Sequence, residues 1–111
     1  MKFSFMTFST PALSLAQVLE TAKRYGYDAV EPRLDQKHGH GIEVSTTEAE
    51  RAAIRRQVEA SGVGLSCLAT SCTFADPAKR EEGVAKALER IQLAGDVGAP
   101  TARVFGGAFP D

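Results

Sequence analysis

The chain has 111 residues, 43% of them hydrophobic, which is enough for one ordinary core and too few for two domains. Thirteen basic residues against fourteen acidic give a formal charge of −1, which excludes the strongly basic field of a non-specific nucleic-acid or anionic-membrane binder. Two cysteines, Cys67 and Cys72, are too few for a disulfide scaffold, and no apolar run has the length of a membrane span or the form of a secretion signal, so a cytoplasmic protein with free thiols is expected.

The first predicted strand is Lys2–Phe8, rich in aromatic and β-tolerant residues and closed by the turn Ser9-Thr10-Pro11. Ser14 with Gln17 spells a capping box, and Leu15, Val18, Leu19 and Ala22 recur at helical spacing up to about Tyr25. Strand two runs from Asp28 to Glu31, because Pro32 has no N–H for a ladder. A polar loop from Asp35 to Val44 follows. Ser45 with Glu48 is read as a second capping box, opening a helix whose thin apolar stripe is Ile54, Val58 and alanines 49, 52 and 53. Strand three is Val63 to Thr70. Asp76-Pro77 reads as an N-cap with proline at the first helical position, and Val84, Leu88 and Ile91 are the predicted buried face of that helix. The fourth strand, Thr101 to Phe105, breaks into Gly106-Gly107.

Gly26, Gly62 and Gly98 are spaced 36 residues apart, each just past a predicted helix and just before a predicted strand. Glycine in that place takes the left-handed conformation that ends a helix, so the chain reads as a βα repeat with a parallel sheet. Neither GxGxxG nor GxxxxGK[ST] follows strand one, which removes the phosphate cradles of dinucleotide and P-loop proteins. By strict alternation, Val30, Leu65, Cys67, Ala69 and Val104 fall on one face, and Glu31, Arg33, Ser66, Thr70 and Arg103 on the other. A polar face suits a barrel interior better than an open sheet covered by helices on both sides. Eight such repeats total roughly 290 residues, the size of a (β/α)8 barrel. The fold class expected is therefore α/β, a parallel βαβαβαβ segment forming the amino-terminal half of a (β/α)8 TIM barrel, as a single partial domain over 1–111.

Barrel active sites lie at the carboxyl ends of the strands. The richest segment there is Glu31 to Gly41, in which Glu31, Arg33, His38 and His40 fall within ten residues. Arg33 offers a bidentate fork and Glu31 an acceptor for a hydroxylated or anionic substrate; the alternative is that the two simply pair at the barrel rim. His38 and His40 have the spacing to share a metal in an extended loop, or are ordinary surface-loop histidines. Arg103 either lines the interior or pairs internally with Glu31. Cys67 and Cys72 lack CxxC spacing and read as structural thiols. The alternating charges of Lys79 to Arg90 read as a solvated helix face.

Together, Gly26-Tyr27-Asp28-Ala29-Val30-Glu31-Pro32-Arg33, His38-Gly39-His40-Gly41-Ile42-Glu43, Cys67-Leu68-Ala69-Thr70-Ser71-Cys72 and Ala102-Arg103-Val104-Phe105-Gly106-Gly107 resemble the xylose isomerase-like TIM barrel superfamily of sugar phosphate isomerases and epimerases. The resemblance implies a divalent metal, Mn2+, Mg2+ or Zn2+, beside two carboxylates that move a proton next to a carbonyl. In the isomerases and epimerases those metal ligands come mainly from the second barrel half, so no metal is expected to be held by this chain alone. The main catalytic carboxylates are expected beyond Asp111. The resemblance carries over Glu31, Arg33, His38, His40 and Arg103 as substrate-binding candidates for a sugar or polyol. It also covers endonucleases for abasic DNA, but the branch's metal-binding histidines would fall at Ser71-Cys72 and Gly106-Gly107. Nucleic-acid and membrane partners are therefore not expected. A second reading is a non-catalytic half-barrel that closes by association with itself or with a partner half.

Overall fold

The two amino-terminal helices start in the same way. A computed structural model describes residues 1–108, and the last residues of the expected unit, 109–111, lie outside the described residues. Helix α1 spans Leu15–Arg24, and the Ser14 hydroxyl accepts from the Gln17 N–H at 3.3 Å while the Gln17 side chain accepts from the Ser14 N–H at 2.9 Å. Helix α2, Glu48–Ser61, is closed by the same reciprocal pair, here Thr47 with Glu50, at 3.1 and 2.7 Å. The expected box of Ser45 with Glu48 is not formed. The Glu43 carbonyl accepts from both the backbone N–H and the hydroxyl of Thr46, at 3.1 and 2.6 Å, which holds Ser45 inside a turn and delays the helix. Asp76 caps a 3-10 turn, Pro77–Lys79, before helix α3 begins at Arg80 and runs to Val97. Gly26, Gly62 and Gly98 have φ of +78°, +75° and +86°, the left-handed conformation expected of them.

Strand β1, Ser4–Met6, is shorter than expected because Thr7–Ser9 turn into a 3-10 helix. It pairs in parallel with β2, Ala29–Glu31, which pairs in parallel with β3, Gly64–Leu65, so that Phe5, Val30 and Leu65 lie in one row. The third predicted strand then breaks and resumes as β4, Leu68–Ala69, parallel to β5, Ala102–Arg103. A bridge between Arg33 and Ala69 joins the two pieces of sheet. All pairing is parallel, and the order along the chain is the order in space.

The break corrects the facing read from strict alternation. Along β2, the carbonyls of Asp28, Val30 and Pro32 accept from the N–H groups of Gly64, Ser66 and Ala69. Two residues on one side are thus matched by two and then by three on the other. The extra residue rephases the strand, so that Leu65 and Leu68 both join the core beneath the helices, while Cys67 is only half-buried. Val104, expected beside Val30, is 41% exposed at the β5 edge.

The core lies between this sheet and the helices: Val18, Leu19 and Ala22 from α1, Val58 from α2, and Leu93, Ala94 and Val97 from α3 pack on Val30, Leu65 and Leu68. Helix α3 turns a different face inward from the one expected. Val84, Leu88 and Ile91 are 45%, 61% and 54% exposed, whereas Gly83, Ala87, Ala94 and Val97 are buried. Small residues let the helix lie close to the chain beneath it, and a Cβ added at Gly83 would stand 2.4 Å from the Thr73 carbonyl oxygen. Among the described residues, no helix is long and apolar enough to cross a membrane.

Candidate functional site

Alternation opposite Val30 puts Glu31 on the inner face of β2, in register with Met6 of β1. The chain then climbs through Pro32 and Arg33 into the loop 35–44. Arg33 is 5% exposed and its guanidinium donates to the carbonyls of Leu34 and Ala69 at 2.9 and 3.0 Å and to the Ser71 hydroxyl. It lies over the ring of Phe8, 5.6 Å from the centroid. The Glu31–Arg33 pairing considered from the sequence is therefore replaced by bonds that tie the end of β2 to the end of β4.

The loop is held down along its length. The Gly39 N–H donates to the Pro11 carbonyl at 2.8 Å, and a Cβ at Gly39 would sit 2.6 Å from the Leu13 carbonyl oxygen, so only glycine fits where the two loops meet. Asp35, in the left-handed region at φ +65°, receives a two-pronged bond from Arg90 of α3 at 2.9 and 3.0 Å, and its own N–H donates to Glu43 at 2.9 Å. The Arg90 guanidinium is held above its ordinary pKa, chiefly by this bond to Asp35.

This anchoring buries both histidines, contrary to the alternative of ordinary surface-loop residues. His40 is 5% exposed; its Nδ1 accepts from the Ile42 N–H at 2.9 Å, so the proton is on Nε2, which donates to the Arg33 carbonyl at 3.0 Å. Burial lowers the His40 pKa from its ordinary value, the bond to the Arg33 carbonyl opposes this, and the charge of His38 adds to the lowering. His38 is 9% exposed, with Nδ1 3.0 Å from the Thr7 hydroxyl and its ring edge-on to both Phe8 and His40. Thr7 is fully buried, and its oxygen also accepts from the Arg33 N–H at 2.9 Å.

The described residues do not fit a bound divalent metal. Both nitrogens of His40 are engaged with the backbone, and among the described residues no three His, Cys, Asp or Glu side chains gather around a point where an ion would sit. Arg103, half-buried in β5, lies over Phe105 at 4.4 Å and donates to the Thr70 carbonyl at 3.4 Å. Its Nε is buried with no partner among the described residues. Cys67 and Cys72 are free thiols.

Of the five residues expected to line a site, Arg33 and His40 are thus built into the wall, while Glu31, His38 and Arg103 retain polar atoms that it does not engage. Thr7 and Ser71 belong to this cluster and were not singled out from the sequence. Thr7 directly follows β1 and Ser71 lies two residues past the end of β4, and the rule that barrel sites form at the carboxyl ends of strands was signal enough to include them.

A family profile describing the xylose isomerase-like TIM barrel matches residues 19–111. The chain belongs to this family. Two solved structures share the fold. One is the probable 3-DHS dehydratase AsbF from Bacillus anthracis, described as involved in petrobactin synthesis, with a TM-score of 0.72 and 17% identity over 96% of this chain. The other is a xylose isomerase domain protein from Planctomyces limnophilus, with a TM-score of 0.64 and 17% identity over 100% of this chain. This member of the family spans 39% and 41% of the lengths of those two proteins, corresponding to their amino-terminal part. No curated protein matches the sequence.

Proposed function

We propose that the chain is the amino-terminal part of a metal-dependent sugar or sugar-phosphate isomerase or epimerase that moves a proton next to a carbonyl. The observation that carries this reading is the cluster at the carboxyl ends of the strands, where Arg33, His40 and Ser71 form a bonded wall and Glu31, His38 and Arg103 keep polar atoms that no described residue engages. Glu31 is suited to accept from substrate hydroxyls, and Arg103 and His38 to donate to substrate oxygens. Arg33 and His40 act by holding the wall in shape. The dehydratase among the structural neighbours is compatible with this chemistry, since loss of water beside a carbonyl also begins with removal of a carbon-bound proton.

In this reading the divalent metal, Mn2+, Mg2+ or Zn2+, and the main carboxylates belong to polypeptide beyond Asp111, and residues 1–111 alone are inactive. The test is deuterium uptake from solvent at the carbon beside the carbonyl, across aldoses, ketoses and their phosphates with each metal. A polypeptide continuing through the downstream coding region should show exchange, lowered by about tenfold or more in Glu31→Gln and mainly through KM. Turnover by residues 1–111 alone, abolished by Glu31→Gln, would overturn the assignment.

Unpaired edges favour a second reading, a half-barrel closed by association with another copy. At one edge Val84, Leu88, Ile91, Val104 and Phe105 are exposed; at the other, Phe3, Phe5, Tyr25 and Tyr27 line a cavity of about 520 Å³ beside β1. A monomeric sedimentation mass at micromolar concentration, with cooperative unfolding, removes this reading.

A further inference from the structure

The Thr7 hydroxyl has one proton to place, and it is fully buried. Its oxygen already accepts from the Arg33 N–H at 2.9 Å, and its remaining neighbour is His38 Nδ1 at 3.0 Å. If Nδ1 carried the ring proton, Thr7 would accept twice and its own O–H would be a buried donor without an acceptor, which is costly. If Nδ1 is bare, the hydroxyl donates to it, and both the Thr7 hydroxyl and Nδ1 are satisfied. The ring proton then sits on Nε2, for which no hydrogen-bond partner exists among the described residues. His40 reaches the same tautomer by a different route, through the Ile42 N–H.

We propose that Thr7 is a positioning residue that holds His38 in the Nε2–H tautomer, so that the site receives a hydrogen-bond donor suited to a carbonyl or carboxylate oxygen of the substrate. The tautomer follows from the Thr7 geometry, and its use toward substrate rests on the functional reading above. A neutral ring in this state is a donor at the site and not a base or a metal ligand there, since both of those roles need the Nε2 lone pair. Phe8 and His40, edge-on at 5.3 and 5.8 Å, fix the plane of the ring and hence the direction of the N–H.

The test is the nitrogen spectrum of the chain labelled with 15N in its two histidines, taken above the pH at which imidazoles titrate, with the signals assigned by their loss in His38→Gln. The expected result is a proton-bearing Nε2 and a bare Nδ1 for His38. Thr7→Ser should preserve this pattern, and Thr7→Val should give a mixture of the two tautomers. A proton on Nδ1 of His38 in the unsubstituted chain overturns the proposal, and so does an unchanged tautomer in Thr7→Val. Should Thr7→Val not fold, the unsubstituted chain still decides, because its spectrum alone separates the two tautomers. No substrate enters this measurement. The functional reading fails by a different observation, an unchanged KM on His38→Gln substitution in the active polypeptide.

Discussion

The carboxyl ends of the strands and the outer face of α3 are built on opposite terms. At the strand ends, charged and polar groups are buried and bonded: Arg33 to two carbonyls and a hydroxyl, His40 to two backbone groups, Thr7 to a backbone N–H and to His38. On α3, apolar side chains at Val84, Leu88 and Ile91 stand in solvent although they recur at the spacing of a buried stripe. Burying a polar group is tolerable only when its bonds are made, and within the residues described Arg33, His40 and Thr7 make theirs while the Arg103 Nε does not. The α3 stripe is an exposed apolar surface, and the chain spans 39% and 41% of the lengths of its two structural neighbours.

Arg33→Met is the substitution with the largest expected effect on this contrast. It strips donors from buried carbonyls at the junction of β2 and β4, and should destabilise the chain by about 3 kcal/mol, read as a lower urea midpoint. A loss below about 1 kcal/mol would mean the wall is wetter and looser than its geometry implies.

Gly83→Ala and Gly95→Ala then compare the two sides of α3 directly. In an unconstrained helix interior alanine gains roughly 1 kcal/mol over glycine. Gly95 has open space where a Cβ would go and should show that gain, while Gly83 faces the Thr73 carbonyl and should lose about 2 kcal/mol instead. Equal effects at both positions would refute the assignment of the buried face.

The strand-end wall should also be acid-sensitive in a particular direction. The His40 pKa is lowered in the folded chain, so the unfolded chain binds its proton first as pH falls. The stability contributed by the neutral ring is complete above the ordinary value of 6.5 and is lost as pH drops from there through the lowered folded value. Urea midpoints measured across that range should decline, and His40→Gln should flatten the decline. A midpoint that rises on acidification in the unsubstituted chain contradicts this. The smallest effect belongs to the outer stripe: Leu88→Lys should change stability by no more than about 0.5 kcal/mol while weakening any self-association.

Much of the fold was legible because its determinants are local. The Ser14–Gln17 box closes within one turn, and Gly26, Gly62 and Gly98 are conformational requirements of single residues. The second box was misplaced because Ser45/Glu48 and Thr47/Glu50 have the same spacing, and only the turn at Glu43 separates them. The site was legible in its location and less so in its roles. That Glu31, Arg33, His38, His40 and Arg103 lie toward one end of the sheet follows from strand direction. That Arg33 points back to Ala69 and Ser71, or that His40 bridges the Arg33 carbonyl and the Ile42 N–H, depends on how distant segments meet.

The sequence by itself determined the parallel βα rhythm, the start of α1, the glycine-marked carboxyl ends of the helices and the end of the sheet at which polar chemistry gathers, because hydrophobic period, capping and left-handed glycines act over a few residues. Tertiary structure alone decided which stripe of α3 is buried, where strand three gains its extra residue and whether the loop histidines are covered. Those outcomes depend on what lies opposite: the Thr73 carbonyl that only Gly83 lets approach, the β2 carbonyls that Ser66 and Ala69 must reach, and the clamp of Asp35 by Arg90 that helps hold His38 and His40 under the loop.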